Sequence, residues 1–219
     1  MRLAALGRHE EAIASYDKVE AHFGETTDVF DPEQAAWALL DKAISLVALG
    51  RHQEAITVCD DLAARFGTAA DPNAREAAAA ALYSKGTYLL DLERYEDANA
   101  AFDDVITRFS KSTTPYMRDT VAKAAVNKGV ALRILGRKQE AINIFDAVII
   151  SFGMATSPSL REAIALAMMK KAITLAELGR TDDSVAAFDA VISRYGEDDD
   201  LDLRQKAREA REYKEQLQR

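Results

Sequence analysis

The sequence is poor in residues that break or staple a chain. Its 219 residues include 4 prolines, 10 glycines and a single cysteine, Cys59. One cysteine excludes an intrachain disulfide and a cysteine-rich metal centre, and it agrees with a reducing compartment. No stretch reaches the roughly 18 apolar residues that span a bilayer, and the opening residues lack the apolar core of a secretory signal. The expectation is a cytoplasmic protein with no membrane partner. Basic residues are in deficit too: 28 Lys and Arg against 36 Asp and Glu leave a formal charge of -8. That is the wrong sign for neutralising a phosphate backbone, so nucleic acid is not expected as a partner. There is no nucleotide loop, nucleophile elbow, zinc-protease helix or calcium loop. No enzyme activity, cofactor or metal is expected.

What the sequence does have is helix formers, and it has them periodically. Leu-Gly-Arg stands at 6–8, 49–51, 135–137 and 178–180, and Leu-Glu-Arg at 92–94, a step of 43 residues. Phe23, Phe66, Phe109, Phe152 and Tyr195 keep the same step, each followed by glycine or, at Ser110, serine. A period of this length marks stacked helical units that bury their apolar faces against one another.

Each unit reads as two helices. The second follows Leu-Gly-Arg, and in one copy Ala141, Ile144, Phe145, Val148 and Phe152 fall on one face at three- and four-residue steps. Its stop is expected at the glycine after the closing ring, in the left-handed conformation. The first helix starts at Asp31-Pro32, Asp71-Pro72, Thr114-Pro115 and Ser157-Pro158, where an oxygen-bearing side chain caps free amides and proline takes the first helical position. These signals predict second helices at 8–23, 52–66, 95–109, 138–152 and 181–195, first helices at 32–49, 72–92, 115–135 and 158–178, and a last helix at 200–218.

The spacing inside each unit resembles the tetratricopeptide repeat family, whose usual unit has a small residue in the first helix, another 12 positions on, and an aromatic 4 beyond that. The matching sets are Gly86, Ala98 and Phe102, then Gly129, Ala141 and Phe145; Ala43, Ala55 and Cys59 put cysteine in the aromatic place, and Ala172, Ser184 and Phe188 put serine in the middle. Ala12 and Tyr16 belong to a partial first copy. The resemblance implies an all-α, right-handed superhelical solenoid of antiparallel helix pairs forming a single domain over 1–219. A partial repeat at 1–24 is followed by four full repeats at 31–67, 71–110, 114–153 and 157–196 and a capping helix at 200–218. The unit exceeds the family's usual length, and the extra residues lengthen the first helices. The chain is expected to begin inside a repeat.

The residues that recur in every copy are assigned to packing. Lysine at 42, 85, 128, 171 and 214 and aspartate at 17, 60, 103, 146 and 189 predict an ion-pair ladder within or between adjacent repeats. Arg8, Arg51, Arg94, Arg137 and Arg180 are expected to be solvated turn residues. His9 and His52 share a position that later holds Tyr95, Lys138 and Thr181, so no histidine site is maintained there. The acidic run at 197–200 is a solvated helix cap.

Binding is assigned to positions that vary. In the family the concave surface is lined by non-core positions of the first helices. In this chain the resemblance implies Trp37, Leu40, Asp41 and Ile44, then Tyr83, Ser84 and Thr87, then Lys123, Val126, Asn127, Val130 and Arg133, then Met169, Lys170 and Ile173. The expectation is a non-catalytic scaffold that holds a peptide or protein in this groove. Two alternatives are self-assembly into homo-oligomers through the truncated first repeat, and a sensor or regulatory arm of a larger multidomain protein.

Overall fold

In the computed structural model of the chain the residues described are 7–25 and 31–218, the side chains of 19–25 excepted. The opening residues of the partial first repeat and the rings of Phe23 and His22 lie outside that set. The described residues form helices only, packed consecutively as a helical-repeat solenoid. They are α1 (His9–Glu25), α2 (Pro32–Ala48), α3 (His52–Phe66), α4 (Pro72–Asp91), α5 (Tyr95–Phe109), α6 (Pro115–Ile134), α7 (Lys138–Phe152), α8 (Pro158–Glu177), α9 (Thr181–Tyr195) and α10 (Leu201–Leu217).

The helix starts follow from capping. The Asp31 side chain accepts from the Glu33 amide at 3.0 Å and Asp71 from the Ala74 amide at 2.7 Å, each just before a proline that has no amide to satisfy. Asp200 does the same for α10, accepting from Asp202 at 2.9 Å. Ser157 is aligned to cap α8 but makes no such bond.

The helix stops correct one expectation. Gly67, Gly153 and Gly196, after the closing rings, have φ of -60°, -54° and -61° and are right-handed. The left-handed residues are those of the Leu-Gly-Arg turns: Gly50 at φ 74°, Gly136 at 77°, Gly179 at 73° and, in the divergent copy, Glu93 at 57°. There the Arg51 amide bonds the Leu46 carbonyl at 2.9 Å and the Gly50 amide bonds Val47 at 2.8 Å, the pattern that closes a helix with one left-handed residue. The same two bonds recur at Arg94 and Glu93, at Arg137 and Gly136, and at Arg180 and Gly179.

The chain groups into two compact units that divide within α6, residues 1–120 and 121–219. In the first, α4 packs on α2, α3 and α5. Ala77, Ala78, Ala79, Ala80 and Ala81 run consecutively through it and all are buried, which only side chains this small permit on a helix covered from several sides. In the second, one cluster centres on Phe145 with Val126, Leu132, Val148 and Leu160. Another centres on Phe188 with Ile164, Val191, Tyr195 and Leu203. Phe102, Phe145 and Phe188 are fully buried, worth about 2–3 kcal/mol each relative to an exposed ring.

The small residues earn their place by distance. A Cβ placed on Gly86 would stand 2.4 Å from Phe102 Cε1, and one on Gly129 would stand 2.4 Å from Phe145 Cε1. Where serine replaces the middle alanine, Ser184 Oγ donates to the Ala172 carbonyl at 2.8 Å, so the buried hydroxyl is satisfied.

Candidate functional site

The recurring charged residues are consumed in structure. Lys42 pairs with Asp17 at 2.7 Å, Lys85 with Asp60 at 2.6 Å, Lys171 with Asp146 at 2.6 Å and Lys214 with Asp189 at 2.7 Å. The ladder therefore takes the inter-repeat form, each lysine reaching back to the second helix of the preceding repeat. The turn arginines are likewise engaged, Arg51 with Glu54 at 2.6 Å, Arg137 with Glu140 at 2.7 Å and Arg180 with Asp183 at 2.6 Å. Two clefts in the first unit show how faithfully the structure repeats. One is lined by Ile13, Asp17, Lys42, Leu46 and Arg51, the other by their 43-step counterparts Ile56, Asp60, Lys85, Leu89 and Arg94. Nothing distinguishes either cleft as a site for one ligand.

The variable positions behave differently, and the two units are taken separately. In residues 1–120, α2 and α4 present Trp37, Asp41, Ile44, Tyr83, Ser84 and Thr87, all half-buried except Ile44, which is 48% exposed. Leu40, at 6% exposure, lies beneath this face as part of the core. The Trp37 indole meets Tyr116 edge-on, centroids 6.0 Å apart and planes at 80°. That contact joins α2 to the start of α6, two first helices further along. One turn on from Trp37, Asp41 shares a hydrogen bond with the Tyr16 hydroxyl; burial pushes its carboxyl above the usual carboxylate range, against the effect of that bond. Tyr16, Glu33, Trp37 and Asp41 line a cleft of about 440 Å³. On α4, Tyr83 leans on Phe102 at 6.0 Å, and Thr87 Oγ1 donates to the Ser84 carbonyl at 2.8 Å.

In residues 121–219, Lys123 on α6 is exposed, and Asn127, Val130 and Arg133 of that helix are half-buried, as are Lys170 and Ile173 on α8. Val126 and Met169, each 5% exposed, are core residues under this face. Arg133 Nη1 donates to Glu177 Oε1 at 2.5 Å, and Lys138 joins the same carboxylate at 3.4 Å. Burial, together with the nearby cations Arg133 and Lys206, holds the Lys170 ammonium below the usual lysine range, while Glu209 opposes the shift.

Sequence reasoning passed over Tyr16, Tyr116, Lys206 and Glu209 as members of these faces. The last two had a signal, because the 43-residue step carries the first-helix register into α10: Lys206 continues Ala163, and Glu209 continues Leu166. Tyr116 had none, since its contact with Trp37 joins helices far apart in sequence. Among the described residues no cluster of His, Cys, Asp or Glu could hold a metal ion, and no helix is long and apolar enough to cross a membrane. Cys59 is buried, which pushes its thiol up to about 12.

Helix pairs of one period, with a small residue on the first helix against an aromatic on the second, define a class of helical-repeat solenoids. Models of the tetratricopeptide repeat match residues 1–74, 40–113, 83–154 and 166–198, and the chain belongs to that family. No curated protein matches it. Among solved structures, the nearly identical TPR-like repeats of a Podosopora anserina putative kinesin light chain are 16% identical, covering 96% of this chain and 90% of that one with a TM-score of 0.61. A variant of the same repeats gives 16% identity, 89% and 90% coverage and a TM-score of 0.63. Bacillus thuringiensis PlcR, solved in complex with the peptide PapR7 and DNA, is 15% identical, covering 99% of this chain and 70% of that one with a TM-score of 0.59. At these identities the likeness is one of fold.

Proposed function

We propose that the chain is a non-catalytic scaffold that binds a peptide or protein segment on the inner faces of its first helices. One observation carries this reading. Residues that recur from copy to copy are used up in packing and ion pairs, whereas most of those that differ from copy to copy, Leu40, Val126 and Met169 apart, stand half-exposed or exposed on α2, α4, α6 and α8. A fold needs its repeated parts alike; a site for one particular ligand needs them different. The mixture of Trp37, Ile44, Val130 and Ile173 with Ser84, Asn127, Arg133 and Lys170 offers apolar anchors beside polar groups, the composition of protein-recognition surfaces. Peptide binding by PlcR, a neighbour in fold, is consistent with this use of the architecture.

The test is affinity capture from an extract of the source cells with three variants of the full chain, each first shown to be folded by circular dichroism. Ile44→Asp with Thr87→Asp alters the face of the first unit, Arg133→Ala with Ile173→Asp that of the second, and Ala147→Asp, on an exposed position of α7, is the control. The reading expects one or both face variants to lose proteins that the control retains. An identical bound set for all three overturns it.

A further inference from the structure

The register position of Lys170 tells what the fold requires there. Counting back by the repeat, the same place holds Asn127, Ser84 and Asp41. Packing is therefore met by neutral side chains or by an acid, and nothing in the repeat calls for a cation. Yet Lys170 is half-buried, and among the described residues no carboxylate reaches it as an ion-pair partner.

Its surroundings make a lone ammonium more costly. Arg133 from α6 and Lys206 from α10 lie close enough to repel it, and Glu209 opposes them. Arg133 spends Nη1 on Glu177, but its buried Nε has no hydrogen-bond partner. Glu177 is in turn shared between Arg133 and Lys138. Four cations thus stand against two carboxylates, in a chain where acids outnumber bases 36 to 28. A half-buried surplus of like charge opposes folding unless an anion completes it.

We propose that this cluster, with Lys170 as its centre, recognises acidic side chains of the bound polypeptide; the inference rests on the peptide-binding reading above. Its cations come from four helices, α6, α7, α8 and α10, and their surplus exceeds one charge. A segment with several acids satisfies it, whereas a chain terminus supplies a single carboxylate. The neighbouring Val130 and Ile173 give such a segment apolar surface on the same face.

The probe is a capped tetraglutamate peptide, titrated into the full chain at low ionic strength while the Lys170 side-chain NMR signal is followed. Capped tetraglutamine, acetyl-leucine and inorganic phosphate are titrated in parallel. The proposal expects a saturable shift of the Lys170 signal with tetraglutamate alone, a rise in the Lys170 pKa on binding, affinity roughly tenfold weaker in Lys170→Met, and retention in Lys170→Arg. Thermal unfolding of the free variants shows that the fold is kept. Three results overturn it: no saturable shift, binding of tetraglutamine equal to that of tetraglutamate, or acetyl-leucine or phosphate binding at Lys170 as tightly as tetraglutamate. The titration needs no cellular partner, so its outcome is separable from the capture experiment. Tetraglutamate bound at Lys170 with capture unaffected by the face variants removes the peptide surface and keeps the acid site; the converse removes the acid site alone.

Discussion

Glu93 is the one described residue other than glycine with positive φ, and its replacement by glycine isolates a backbone term. At the equivalent glycines 50, 136 and 179 an added Cβ would meet no atom within 4 Å, so crowding is absent and only the left-handed conformation matters. The left-handed region costs a residue with a side chain about 1–2 kcal/mol. Glycine has more freedom to lose on folding, which offsets about 0.5–1 kcal/mol of the relief. Glu93→Gly should therefore stabilise the chain by about 0.5–1 kcal/mol, or about 1–4 °C in Tm for a protein of this size. The reciprocal Gly50→Glu, in the same unit, should destabilise it by a similar amount. Urea unfolding at a fixed temperature measures both, with an unchanged denaturant slope showing that only stability has moved. If Glu93→Gly is neutral or destabilising while Gly50→Glu is tolerated, the turn does not impose the left-handed conformation and the reasoning fails.

Gly86→Ala forces a methyl into the Phe102 ring and should cost about 1–2 kcal/mol, the overpacking penalty less the helix preference of alanine; Phe102→Leu in the same chain should recover part of it in a melting experiment. A double-mutant cycle on Lys85→Met and Asp60→Asn should give a coupling of about 0.2–1 kcal/mol that shrinks in high salt, since the pair is partly exposed; a coupling unmoved by salt contradicts a partly solvated pair. Cys59 should resist a thiol reagent at pH 8 in the folded chain and react on unfolding, because burial holds it protonated up to about 12. Its folded pKa lies above its unfolded value, so the stability it contributes is complete below the unfolded pKa. That contribution declines as pH rises toward 12, measurable by comparing the pH dependence of unfolding with that of Cys59→Ala.

Helix positions were legible because their signals are local. Asp31-Pro32 and Asp71-Pro72 place a cap and a proline side by side, and α2 and α4 begin where that pair says. The left-handed residue was misplaced because a glycine after Phe66 and one after Leu49 look alike as letters; what separates them is which carbonyls the following amides can reach. The ladder was legible as a recurrence, but its inter-repeat pairing depends on how one helix pair leans on the next. The candidate faces show the same division. That Ser84, Asn127 and Lys170 share a register position follows from counting, whereas the burial of Leu40, Val126 and Met169 and the contact of Trp37 with Tyr116 depend on how helices pack on one another.

The lysine–aspartate pairs cross from one repeat to the next with the same chemistry at every described seam, so they cannot tell one neighbour from another. During folding, any first helix offers its lysine to any second helix, including one on another chain, and that is a route to misregistered or swapped stacks. Correct order must come from elsewhere in the seam. The buried small-and-aromatic pairs do not supply it, because each joins the two helices of one repeat: glycine with phenylalanine at 86 and 102, alanine with cysteine at 43 and 59, alanine with phenylalanine at 172 and 188.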